Sequence, residues 1–267
     1  FHKGRFPDPQ AMMRELKELG FEVMLWVCPF VSPDSDTYRE LEKEGVFMLD
    51  SMEKPAMVRW WNGVSAVLDL TNSKGNKWFK GELDRLVNQY GVSGFKLDAG
   101  DARFYKGISS SKKVIPNTHT ELFNKIGLDY PFNEYRATWK MGGQPLVQRL
   151  HDKGHDWEDI KKLIPQMVLE GIMGYPFSCP DMIGGGQFTA FLNDAPIDQE
   201  LVVRSAQVHT LMPMMQFSVA PWRILDDRHL NAVLKAVDLR ENFKEVILDL
   251  AKKAAVTGEP IVRSLEY

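Results

Sequence analysis

Apolar positions recur along this chain in two rhythms. Met12, Met13, Leu16 and Leu19 repeat at helical spacing, with Asp8 placed as N-cap, Pro9 at the first helical position and Gly20 as terminator. The same period predicts helices over 36–44, 77–90, 157–171, 198–212 and 229–255. Between them lie short, nearly continuous apolar runs at 21–30, 65–71, 92–97, 171–180 and 213–219, with weaker ones at 132–139 and 261–262. Such runs, bounded by Gly and Pro, read as strands of a sheet buried on both faces. Strands that alternate with helices predict a mostly parallel α/β sheet. The rhythm alone does not separate an open doubly wound sheet from a closed barrel. Polar stretches at 102–125 and 149–156 read as surface loops over the strand ends.

Composition narrows the setting. A chain of 267 residues, 44% hydrophobic and 26% charged, has the length of one barrel-sized domain, and 1–267 is read as a single unit. A net charge of -3, with aromatics not interleaved with Lys and Arg, gives no footprint for nucleic acid. Cys28 and Cys179, 151 positions apart, form neither a disulfide framework nor a zinc pattern, and read as buried thiols. No run approaches the ~20 apolar residues that span a bilayer. The chain opens at Phe1 and stops at Tyr267 after an apolar run, which reads as a piece of a longer polypeptide, so compartment, membrane association and oligomeric state are not legible.

The chemistry gathers at predicted strand ends. Val92 to Leu97 delivers Asp98 onto a turn containing Gly100, and Asp181 followed by Gly184, Gly185 and Gly186 repeats that pattern; Asp69 and Asp152 stand at comparable places. Carboxyl ends of parallel strands converge on one face, so these acids are expected to share a cleft with Arg136, Lys96 and exposed aromatics. The plain alternative for Asp98 is a cap on the following segment. Trp26 is either core or a stacking platform for a sugar, and the tandem Trp60 and Trp61 read as packing. Asp156 reads as the N-cap of the helix beginning at Trp157, whereas Asp152 has no local structural duty. His151 and His155 beside Asp152 and Asp156 lack the further ligands a metal needs, and no metal or cofactor is expected. Carboxylates and aromatics without a nucleotide-binding glycine loop, a cysteine nucleophile or a Gly-x-Ser-x-Gly elbow fit sugar chemistry better than phosphoryl, acyl or hydride transfer.

Taken in order, Phe6-Pro-Asp-Pro9, Val23-Met-Leu-Trp-Val27, Gly94-Phe-Lys-Leu-Asp-Ala-Gly100, Arg136-Ala-Thr138, Asp152 with Trp157, and Asp181-Met-Ile-Gly-Gly185 resemble the catalytic barrel of glycoside hydrolase family 31. The resemblance runs from Phe6 to Arg263. It implies a (β/α)8 TIM-type barrel, incomplete at its N-terminus and without the family's flanking β-sandwich domains. It also implies a retaining exo-α-glycosidase acting on a carbohydrate substrate. Asp98 then matches the nucleophile, which must be ionised, with Lys96 as a supporting cation. Asp152 matches the general acid/base, 16 residues after Arg136 and five before Trp157, although Asp181 competes for that role by its setting. Arg136 and Asp181 match sugar-binding groups, and Trp26 a platform. Lys96 and Asp101 near the nucleophile, His151 beside the acid/base, and Gln216 and Trp222 further on complete the expected sugar contacts. A retaining mechanism expects Asp98 and Asp152 to come within roughly 5–5.5 Å.

The chain departs from the family's α-glucosidases in two places. Arg149-Leu-His-Asp152 replaces a Trp-Ser-Gly-Asp, and Gln216 and Ser218 stand where Arg and His are common. Both changes are expected to line the sugar pocket and resemble the branch associated with α-galactosides, more distantly the sulfoquinovosidases. Because an unpaired buried polar group is penalised strongly, such changes can reverse sugar preference, and α-galactosides or α-glucosides both stand as substrates. A non-catalytic carbohydrate-binding protein derived from such an enzyme is the alternative.

Overall fold

A computed structural model of the protein describes residues 1–186 and 197–266. The chain divides into two compact units, Phe1–Met141 and Gly142–Tyr267.

In the first unit, helix α1 (Pro9–Glu18) begins where Asp8 accepts from the amide of Ala11 at 2.8 Å, with Pro9 supplying a preset φ. Strand β1 (Met24–Val27) follows, then β2 (Phe30–Val31) and helix α2 (Asp36–Glu44), which Gly45 ends in a left-handed conformation. A hairpin of β3 (Met57–Trp60) and β4 (Gly63–Val67) leads to helix α3 (Ser73–Tyr90), strand β5 (Gly94–Leu97), a single 3-10 turn, helix α4 (Pro116–Gly127) and strand β6 (Phe132–Tyr135). Strands β1, β5 and β6 pair in parallel, with Trp26 opposite Lys96 and Lys96 opposite Glu134. Phe95, Leu97 and Tyr135 are fully buried beneath this sheet's helices.

Here several expectations change. Strands β2, β4 and β3 form a separate antiparallel sheet, because the two-residue turn at Trp61 and Asn62 is too short for a parallel crossover. Asp69 therefore does not end a barrel strand. Its buried carboxylate accepts from the amide and hydroxyl of Thr71 at 2.9 and 2.6 Å and from the amide of Ser111 at 2.6 Å, a loop-tying duty rather than a catalytic one. Helix α3 starts earlier than its apolar period, at Ser73, since the side chain of Asn72 caps the amide of Lys74. The stretch 102–125 is not a continuous loop. Helix α4 buries His119, Thr120 and Asn124 along with Phe123 and Ile126, a half-polar face that hides helical periodicity.

In the second unit, β7 (Val147–Arg149) and β8 (Ser178–Cys179) pair in parallel, as do β9 (Met182–Ile183) and β10 (Gln216–Phe217). Helix α5 (Trp157–Ile172) starts at Asp156, which accepts from Asp159 N, and α6 (Gln199–His209) starts at Asp198. The 31-residue α7 (Asp227–Thr257) is bounded by Asp226 and by Gly258 at φ 74°. The predicted strands are longer than those formed: 21–30, 171–180 and 213–219 shrink to two to four residues, and 261–262 is not a strand. Nor is β1 buried on both faces, for Trp26 is 46% exposed. An apolar run does not guarantee burial or pairing: Phe21, Ile172 and Met173 within these runs are exposed, and 213–219 is only partly buried. Among the described residues no helix is long and apolar enough to cross a membrane.

Candidate active site

The first unit holds one carboxylate cluster. Asp98 follows β5, and its amide donates to Val27 O at 2.9 Å, so the parallel pairing carries the residue one step past the strand end. Its carboxylate is held at both oxygens. Trp26 Nε1 donates to Oδ2 at 2.7 Å and the amide of Ala99 to Oδ1 at 2.9 Å. Ala99 and Gly100 both take positive φ, 57° and 71°, which turns the chain sharply away. At Gly100 a side chain is also excluded by space, since a Cβ would lie 2.6 Å from the Phe123 ring. Arg136, just beyond β6, brings Nε to 4.0 Å from Asp98 Oδ1 and 3.2 Å from Asp101 Oδ2. Its guanidinium lies 4.5 Å from the ring centre of Trp61.

Aromatic side chains floor this cluster. Trp26 stacks on Trp60 with rings 9° from parallel, while Trp61, half exposed, lies against Trp60 edge-on. Trp26 is thus not core; it is an exposed ring whose polar edge grips Asp98. Trp61 packs on Trp60 as expected and also supports Arg136. The visible signal was a tandem Trp placed at a hairpin turn, where a strand no longer buries both faces. Lys96 bonds Glu134 at 3.0 Å, its cross-strand partner, so Arg136 rather than Lys96 is the cation placed against Asp98.

The second unit holds the other cluster. Arg149, the last residue of β7, is buried, and its Nη1 donates to Asp152 Oδ1 at 2.7 Å, Asp181 Oδ1 at 2.9 Å and Leu150 O at 3.2 Å. The amide of Lys153 donates to Asp181 Oδ2 at 2.8 Å. Asp152 keeps 44% of its side chain exposed, whereas Asp181 is wholly buried. Burial raises the Asp181 carboxyl above the ordinary range, offset by the Lys153 amide and the Arg149 charge and reinforced by neighbouring Asp152. The glycines after β9 serve this packing. At Gly186 a Cβ would lie 2.8 Å from Asp181 Oδ2 and 2.9 Å from the Cβ of Asp152.

The remaining predicted residues scatter more widely. His151 is exposed beside Asp152, Gln216 is half-buried in β10, and Trp222 is 72% exposed on the 3-10 turn Pro221–Arg223. Ser218 spends its hydroxyl on Ile183 O at 2.9 Å. Cys179 is buried, and burial pushes the half-buried Cys28 thiol up to about 12, which leaves it unreactive at neutral pH. Among the described residues no group of three or more His, Cys, Asp or Glu side chains could hold a metal ion.

Comparison with known proteins shows the family of the chain. The model of the glycosyl hydrolase family 31 TIM-barrel domain matches residues 1–247. The myogenesis-regulating glycosidase of Mus musculus is 36% identical over 99% of this chain, and the lysosomal alpha-glucosidase of Bos taurus 24% identical over 99%. The chain spans 38% and 33% of those relatives. Among solved structures, a family 31 sulfoquinovosidase from E. rectale with an aza-sugar inhibitor superposes with a TM-score of 0.85 at 20% identity, covering 99% of this chain and 43% of that one. The cycloalternan-degrading enzyme from Trueperella pyogenes, solved with a covalent intermediate, gives 0.84 at 20% identity over 98% of this chain and 40% of its own. By the match over most of its length, this chain belongs to glycosyl hydrolase family 31, whose α/β TIM-barrel domain it carries.

Proposed function

We propose that the protein is a retaining exo-α-glycosidase that removes terminal α-linked sugars, α-galactosides or α-glucosides, by double displacement. The observation that carries this reading is the fixation of Asp98. A nucleophilic carboxylate must be aimed, and here an indole N–H holds one oxygen, a backbone amide holds the other, and a guanidinium lies 4.0 Å away.

In the first step an oxygen of Asp98 bonds to the anomeric carbon, the glycosidic C–O bond breaks, and Asp152 gives its proton to the departing oxygen. In the second, Asp152 takes a proton from water, the water oxygen bonds to the anomeric carbon, and the Asp98 ester bond breaks with release of the carboxylate. Asp152 suits the proton-shuttling role better than Asp181. A general acid must reach the leaving oxygen, and Asp152 is half exposed while Asp181 is buried with both oxygens engaged. Arg136, Asp101 and the exposed faces of Trp26 and Trp61 are proposed to hold the sugar, with Lys96, His151, Asp181, Gln216 and Trp222 as further contacts.

A panel of aryl α-galactosides, α-glucosides, α-xylosides and α-sulfoquinovosides, with the product's anomeric configuration followed by NMR, tests the reading. Retention of configuration and a loss of at least about 10³-fold in Asp98→Ala are expected. Inversion, or turnover unchanged in that variant, overturns it. Sugar binding by calorimetry without hydrolysis points instead to a non-catalytic binding protein.

A further inference from the structure

Arg149 is a buried charge for which the proposed chemistry has no task. Only 3% of its side chain is exposed, so it is not presented to a sugar hydroxyl. A guanidinium out of water needs an anion, and Nη1 of this one reaches Asp181 and Asp152. The two anions differ in kind. Asp181 is sealed, its other oxygen fixed by the Lys153 amide; Asp152 is open enough to exchange a proton. The four groups close a ring, because Lys153 is also the residue after Asp152.

We infer that Arg149 is a positioning residue for the acid/base step, anchored on Asp181 and holding the Asp152 carboxyl in place. The inference rests on the reading of Asp152 as the acid/base. Its physical sense lies in the two half-reactions. Asp152 must carry a proton in the first and lack it in the second, and an arginine bonded to Asp152 alone would be stranded at each protonation. Asp181 lessens that penalty as a second carboxylate on the same nitrogen. Lys153 interacts with Asp181, and Glu170 of α5 and His209 of α6 interact with Lys153; His151 adjoins Asp152 in the chain. Substituting Arg149 leaves all of these groups in place.

The test is the pH profile of kcat/KM in the intact protein on a glycoside with a poor leaving group. Arg149→Met removes the cation hydrogen-bonded to Asp152 and should move the basic limb up by about one pH unit while leaving the acidic limb unmoved. Arg149→Lys should restore at least about half of that displacement by returning the charge. Asp181→Asn should move the limb the opposite way, since Arg149 then serves Asp152 alone. Should Arg149→Met melt too early to assay, the lysine and asparagine variants carry the comparison. A uniform loss of rate with both limbs unmoved overturns the role of Arg149. Asp152→Ala separates the two readings: equal losses on activated and natural glycosides remove the acid/base assignment and the inference with it. A loss confined mainly to natural glycosides keeps the assignment and leaves the pH series to judge Arg149 by itself.

Discussion

Trp26 and Asp98 stand 72 residues apart, yet the 2.7 Å bond between them decides what the tryptophan does. A hydrogen bond of this length holds a carboxylate in one orientation. Trp26→Phe keeps the ring that stacks on Trp60 and removes the donor. It should lower kcat/KM roughly tenfold, with thermal melting nearly unchanged. An unaltered rate would show that the bond is not used. Asp98 was readable as a strand-end acid from its glycine-rich turn. Trp61 was not readable as part of its cluster, because a tryptophan is ordinarily core, and Arg149, expected to line the sugar pocket, was not readable as buried, because an arginine is ordinarily solvated. What makes them otherwise is a partner that arrives from a distant segment: Arg136 over the Trp61 ring, and Asp181, 32 residues away, on Arg149.

Elements place these side chains through the space left at glycines. Two glycines give opposite forecasts for alanine. Gly81 lies exposed in the middle of α3 with nothing within 4 Å of an added Cβ; Gly81→Ala should stabilise by about 0.5–1 kcal/mol through helix propensity, without effect on activity. Gly186 faces Asp181 and Asp152 at under 3 Å. Gly186→Ala should cost about 1–3 kcal/mol from overpacking and depress activity by displacing Asp152. Urea unfolding read beside initial rates checks both, and a Gly186→Ala protein with native stability and full activity would contradict the packing argument. Two helix starts were legible, at the caps Asp8 and Asp156; Ser35, Asn72, Asp198 and Asp226 also satisfy their own helix's amides, but were not legible as caps from the sequence. Strand limits were less so, because an apolar run does not show where pairing stops.

For the molecule as a whole, buried titratable groups tie stability to pH. Glu170 is enclosed by the second unit, and burial raises its carboxyl to about 8, with Lys153 opposing. A carboxyl that binds its proton more tightly when folded adds stability that is full below its unfolded value near 4.5 and lost as pH rises through about 8. Glu170→Gln removes that dependence. The melting temperature of the variant minus that of the parent should therefore grow more positive from pH 5 to pH 8, and a flat difference would show that Glu170 titrates normally. His209 runs the other way. Burial lowers its imidazole, so its contribution is lost as pH falls through the folded value, and differencing against Glu170→Gln cancels it.

By itself the sequence determined the alternation of strands and helices, the helix caps at Asp8 and Asp156, and an ordered set of motifs sufficient to resemble one family. All of these are short-range: a period, a cap or a motif is complete within about 20 residues. Only the tertiary structure decided which acids have structural partners and which are presented for chemistry. It tied Asp69 into a loop with Thr71 and Ser111, turned Lys96 to Glu134, sealed Asp181 behind Arg149 and left Asp152 half open. The reason is that a carboxylate's exposure and partners depend on segments tens of residues away, and in a sheet of parallel strands every hydrogen-bonded neighbour is reached through an intervening helix or loop.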